Sequence, residues 1–329
     1  MNEDQYFSLS KHLILVPCHS IWDPTYRSND KIGNYGQDGG SWDLADFQKE
    51  GHDHISFIKH ALKAVQTLIK HIVKNNDILD ESLRNYPILI FSGSQTCKTT
   101  RDSEAQSYCR VLNTIFSNYK YGSISAFRGD KEIECLIKDI ISSAAVLEMD
   151  ISEIMTKSFI TTEEFSLDSF QNVLYSLYRF KEYTDNYPNK ITIVGFGFKK
   201  ERFLNYHLNA INFDLEDVEY ISYEPNPLYL NYLKNPNDIK EINNDPICIG
   251  YYKCLQKSEE DNALALFKND WYGIRGKLAE KKFYRNHHKR FPGYKALELI
   301  SFDGDISDRE FFDRFIKGKM PWSKPSKLI

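Results

Sequence analysis

No stretch of this chain is apolar for long enough to cross a bilayer, no two cysteines form a C-x-x-C pair, and no Walker loop is present. With a mean hydropathy of -0.51, these absences argue against a helical membrane protein, a cysteine-stapled scaffold and a P-loop nucleotide hydrolase. A G-x-S-x-G elbow is also missing, which removes sequence support for an α/β-hydrolase triad. Basic charge is in slight deficit: 42 Lys and Arg against 46 Asp and Glu give a net charge of -4 and no general attraction to nucleic acid. The start, Met1-Asn2-Glu3-Asp4-Gln5, lacks the basic residues of a secretory or mitochondrial leader, so a cytoplasmic address is expected. Ser326-Lys327-Leu328 is a peroxisomal tripeptide, but Ile329 follows it and receptors read the terminal carboxylate, so import is not expected.

What is present fits one large globular core: 329 residues, 41% hydrophobic, with 21 Tyr and 21 Phe. Six dispersed cysteines (Cys18, Cys97, Cys109, Cys135, Cys248 and Cys254) read as reduced thiols. Leu13–Val16, Ile88–Phe91 and Ile191–Val194 are short continuous apolar runs, the pattern of strands buried on both faces, and Val218–Tyr223 is a weaker fourth. Parallel strands need crossovers, and helical spacing appears between them: over residues 54–74, from Ser103, over 131–153, and from a cap at Asp168 or Ser169 to Pro188. The expectation is an α/β fold, a Rossmann-like parallel sheet with helices on both faces. It reads as a single domain over residues 1–329, with a core of about 10–225 and a helical or irregular extension of about 226–329 that recovers a helix near Glu259–Phe267.

Ligands of open parallel sheets bind beyond the carboxyl ends of the strands, which singles out four turns. They are Pro17-Cys18-His19-Ser20-Ile21-Trp22, Ser92-Gly93-Ser94-Gln95-Thr96, Gly195-Phe196-Gly197-Phe198-Lys199-Lys200 and Glu224-Pro225-Asn226. The second offers hydroxyls and small residues before a helix, the composition of an anion site and equally of a plain tight turn. The third adds Lys199 and Arg202 behind two glycines. His52-x-His54 lacks an evident third ligand and reads as two solvent-facing histidines, and Asp303-x-Asp305-x-Ser307 lacks the glycine and glutamate of a calcium loop, so no metal is assigned. No cofactor is assigned either.

In order and content these turns resemble the YdcF/SanA/ElyC-like family, in a soluble fungal-type branch. The resemblance is carried by Ile88–Phe91 leading into Ser92-Gly93-Ser94, then Ser103-Glu104-Ala105, then Glu164 ahead of Ser169-Phe170-Gln171-Asn172, then Lys199 and Arg202 after Ile191–Val194. Leu15–Trp22, Phe180 and Asn269-Asp270-Trp271-Tyr272-Gly273 point to the eukaryotic branch, and the likeness covers roughly residues 10–300. Ser94 and Ser169 depart from the usual glycine and threonine while keeping small size or a hydroxyl. The resemblance implies a Rossmann-like fold with a pocket at the strand ends, and no particular reaction.

The expected function is binding of a small anionic metabolite, phosphorylated or nucleotide-like, by a hydrolase or transferase. Ser92, Gly93, Ser94, Ser169, Asn172, Gly195, Lys199 and Arg202 are the candidate ligand-binding residues. Glu104, Asp168 and His19 are the candidate catalytic ones, each with a plainer reading as helix-terminal acid, cap or turn histidine. The alternatives are a non-catalytic binder of a molecule such as S-adenosylmethionine, or RNA association through the basic stretch 275–290, where Phe283 and Tyr284 are interleaved. The plainer reading of that stretch is a solvated helix face.

Overall fold

Four apolar runs and one that is barely apolar make the sheet: β1 (Ser10–Pro17), β2 (Tyr86–Ser92), β3 (Ile160–Glu163), β4 (Lys190–Gly195) and β5 (Val218–Ser222). The computed structural model describes residues 3–27, 32–119, 125–127, 129–237 and 242–324, so the Ser326–Leu328 tripeptide lies outside the described residues. All pairings are parallel, in the order β3-β2-β1-β4-β5. Leu13, Ile14, Leu15, Val16 and Ile88 to Phe91 are wholly buried, which is why they carry no polar alternation. Each such aliphatic side chain contributes roughly 1.5–3 kcal/mol through burial.

The first crossover helix, α1 (Asp53–Asn76), packs on β1, β2 and β4 with Phe57, Ile58, Leu62, Val65 and Ile69 fully buried. Helices α2 (Glu104–Tyr119) and α3 (Lys131–Val146) pack beside it. Ser103 caps α2 in a reciprocal box: Gln106 N donates to its Oγ at 3.0 Å and its own amide donates to Gln106 Oε1 at 3.2 Å. Helix α4 (Ser169–Thr184) packs on β1, β2 and β3, and Asp168 caps it by accepting from Gln171 N at 2.8 Å.

After β4 the chain is helical over residues 200–210 (α5), with wide π turns over Arg202–Leu208. Helix α6 (Pro246–Glu259) packs on the Gly197–Lys199 turn and continues helically to Phe267. It begins well before the expected Glu259, because Pro246 occupies its first turn, where no amide is needed, and Asp245 caps it. Helix α7 (Gly276–Arg285) follows. No helix of the described residues is long and apolar enough to cross a membrane.

Candidate functional site

The strands end level. Pro17 pairs with Ser92, Ser92 with Glu163 and Gly195 with Ser222, so their following turns meet above one edge of the sheet. The order of strands reverses between β1 and β4, which opens a crevice there. His19, after β1, and Lys199, after β4, meet across it: Lys199 Nζ lies 3.4 Å from both ring nitrogens of His19. The imidazole stacks on Phe196 with 5.2 Å between centroids. Burial, and then the cation of Lys199, hold His19 well below its usual pKa, so it is neutral at pH 7. Burial, with Arg202 next in effect, pulls Lys199 down to about 7.

Beneath the crevice lies a closed hydrogen-bond network. Ser92 Oγ donates to Glu163 Oε2 at 2.5 Å, and Asn172 Nδ2 donates to Ser92 Oγ at 2.9 Å and Ser166 Oγ at 2.7 Å. Glu163 Oε1 accepts from the amides of Phe165 and Ser166 at 2.7 and 3.2 Å and from the Tyr294 hydroxyl at 3.0 Å. Burial raises the Glu163 carboxyl, and the hydrogen bond from Ser92 leads the opposing effects. Each member is satisfied by another, so the network fixes Asn172 and Ser166 in place.

Above the network is a cavity of about 110 Å³, lined from both ends of the chain. It brings together His19, Glu104, Asp168, Ser169, Asn172, Lys199 and Arg202 from the sequence candidates, and adds Arg285 from α7. Arg202 Nε sits 3.1 Å from Glu259 Oε1, close enough to pair though not aligned as a hydrogen bond. Asp168, having given one oxygen to its helix cap, holds Lys282 at 3.3 Å with the other. Arg285 donates Nη1 to the Leu167 carbonyl at 2.8 Å. Glu104 accepts from Thr96 Oγ1 at 2.7 Å, and burial raises its carboxyl. Burial, then Glu104, raise Cys18 far above the ordinary thiol value, so it is no thiolate nucleophile. Ser169 Oγ meets the buried Nε2 of His207 at 2.7 Å.

Ser92, Gly93, Ser94 and Gly195 do not line this cavity. Ser92 lies in the network below. The Gly93 amide donates to Glu163 O at 3.0 Å, and a Cβ at Gly93 would stand 2.7 Å from Glu104 Oε2, so glycine is needed there for Glu104 to approach. The Ser94 carbonyl accepts from Glu104 N at 3.0 Å, and the Gly195 carbonyl accepts from Tyr223 N at 3.2 Å. The glycine turn after β4 is likewise closed by an internal anion: Glu224 takes the amides of Gly197 and Phe198, and a Cβ on Gly197 would fall 1.9 Å from its Oε1.

Other expectations are corrected. His54 is buried and not solvent-facing, His52 sits in a left-handed conformation, and among the described residues no group of three or more His, Cys, Asp or Glu is placed to hold a metal. The acid that enters the site network is Glu163, while Glu164 accepts from its neighbour Thr162 at 2.8 Å. Glu163, Ser166, Tyr294 and Glu259 are the residues that sequence reasoning passed over, and Arg285 was noted only within the basic stretch. Much of the basic stretch 275–290 is wired inward: Arg275 to Asp308, Lys282 to Asp168, Arg285 to Leu167 and Arg290 to the Glu164 carbonyl.

No family model matches the chain, and no solved structure matches it. A curated relative does: the chain is 38% identical over 323 residues to the uncharacterized protein YOR238W of Saccharomyces cerevisiae, covering 95% of this chain and 97% of that one. Similarity of that level along nearly the whole of both chains shows common descent, and the chain belongs to the family of that yeast protein.

Proposed function

We propose that the cavity binds the phosphate, or a like anionic group, of a small metabolite, and that Glu104 moves a proton at it in a hydrolase or transferase reaction. The observation that carries this reading is the convergence of Lys199, Arg202 and Arg285 on one cavity at the reversal point of the sheet. Two ion pairs stand at the cavity's edge, Arg202 with Glu259 and Lys282 with Asp168. Lys199 and Arg285 then face Glu104, whose carboxyl burial pushes toward the neutral form, so the cavity carries excess positive charge that an anion offsets.

Size supports the same class. At about 110 Å³ the cavity is well below the ~300–1,000 Å³ of sites that enclose a drug-sized ligand, so it suits a charged head group. The order of Ser92-Gly93, Glu104, Asn172, Lys199 and Arg202 along the chain supports a place in the YdcF/SanA/ElyC-like group. A raised carboxyl beside a bound anion is a suitable general acid or base. The test is turnover of a panel of phosphorylated metabolites by the wild type and by Lys199→Ala, Arg202→Ala and Glu104→Gln. The reading expects binding to fall in the first two and turnover to fall with binding kept in the third. Unchanged binding in both cation variants would remove it.

A further inference from the structure

Beside the cavity, on α7 and the segment that follows it, Phe283, Tyr284 and Phe291 are 77%, 63% and 82% exposed. Three large exposed rings on one small region need a reason, since contiguous apolar surface is costly to leave in water. They do not protrude separately. Together with Leu167, Lys282 and Lys289 they line a concavity of about 610 Å³, and Phe283 and Tyr284 stand edge to face with centroids 5.6 Å apart.

The concavity is held open by local structure. Asn286 closes the turn that follows α7, donating Nδ2 to the Arg290 carbonyl at 2.8 Å and accepting from Arg290 N at 2.8 Å. Lys289 is thereby held in the left-handed region at φ 50°, a conformation that costs energy for a lysine. Arg290 is anchored to the Glu164 carbonyl at 2.9 Å and lies over the Phe165 ring, which fixes the base of Phe291.

The two depressions adjoin. Leu167 lines both, and α7 serves both: Arg285 lines the anion cavity, while Lys282, Phe283 and Tyr284 line the shelf. We propose that the ligand is a nucleoside phosphate, its phosphate in the cavity beside Arg285 and its planar base on the Phe283–Tyr284–Phe291 shelf. This rests on the reading of the cavity as an anion site and goes beyond it by naming the organic part. Aromatic side chains take any base by its face, and three rings stand on the shelf among its polar side chains. A volume of about 610 Å³ falls in the range for one small ligand, the size of a mononucleotide.

Isothermal titration separates the parts, with inorganic phosphate, ribose 5-phosphate, adenosine 5′-monophosphate and a ten-nucleotide single-stranded RNA as probes. The nucleotide is expected to bind at least about tenfold tighter than ribose 5-phosphate. In a Phe283→Ala/Phe291→Ala variant, whose changes lie on the surface, that preference disappears while ribose 5-phosphate affinity stays within about twofold. Equal affinities in the wild type, or a preference that survives the double change, overturn the shelf and leave the cavity reading intact. Failure of both phosphate and ribose 5-phosphate to bind overturns the cavity reading, and the joint ligand with it. RNA binding tighter than the mononucleotide, falling steeply with salt, overturns the mononucleotide in favour of a strand.

Discussion

Lys199 shows how one residue is placed against its own preference. Its ammonium is part-buried, beside Arg202 and against a neutral His19, so it titrates at about 7 where a free lysine stays charged to above 10. Because the folded state binds its proton less tightly than the unfolded state, the destabilisation is fully present below pH 7 and is relieved as pH rises toward the unfolded value. Lys199→Met should therefore raise folding stability at pH 6 by about 1–2 kcal/mol, less than full conversion of the shift because the side chain is not wholly dry, and weaken phosphate binding. Urea unfolding of the two proteins checks the first effect, and no gain at pH 6 would show that the charge is already compensated. A bound anion restores the proton to Lys199, so phosphate affinity in the wild type should weaken as pH climbs from 7 to 9 beyond what phosphate's own titration explains. The Lys199→Arg protein should lose that extra slope, which calorimetry in a pH series can read. Glu163 is likewise buried against its charge, but both of its oxygens are used. Ser92→Ala leaves Glu163 and Asn172 each short of a buried partner and should cost about 1–3 kcal/mol in stability, while phosphate affinity falls only as far as Asn172 shifts.

At the scale of elements, legibility followed local pattern. Strands β1, β2 and β4 were readable because a continuous apolar run has few other uses, β5 less so because Glu219 and Ser222 interrupt it, α1 by apolar spacing alone, and α2 and α4 because spacing and a cap agreed. Strand β3 was not: Ile160-Thr161-Thr162-Glu163 has one apolar residue in four, and only the parallel pairing of Leu89 to Ser92 with it makes it a strand. The choice of Glu164 over Glu163 is the same loss on a smaller scale, since one step along a strand reverses the side chain. The start of α6 was hidden by prolines at 225, 227, 236 and 246, of which only the last belongs to the helix. Of the site, His19, Lys199 and Arg202 follow from the strand-end rule, Glu104 and Asn172 from the segments that carry the family resemblance and Asp168 from its capping position, whereas Arg285 arrives from about 80 residues further on and was noted only within the basic stretch. That convergence predicts a paired response: saturating phosphate should slow amide exchange in residues 200–210 and in Gly276–Arg285 together. Protection limited to the 92–96 turn would place the anion at the glycine turn instead.

The molecule as a whole joins its two ends at one cavity. Glu259 and Arg285 reach it from the C-terminal third, and Tyr294 completes the network beneath it, so ligand, sheet and extension share one set of contacts. Thermal unfolding should accordingly be a single cooperative transition that moves as a unit when phosphate is added, by about 2.7 kcal/mol of stabilisation at a hundredfold excess over Kd. Two transitions, with the ligand shifting only one, would mean that the extension unfolds without disturbing the site. The central claim is that Lys199 and Arg202 hold an anion at the reversal point of the sheet. Calorimetric titration of inorganic phosphate at pH 6.5 into the wild type and into Lys199→Ala and Arg202→Ala tests it most directly. The account predicts saturable binding that weakens roughly 10–100-fold in each variant, the size of a lost charge-assisted hydrogen bond. Equal affinity in all three proteins, or no binding by the wild type, would contradict it.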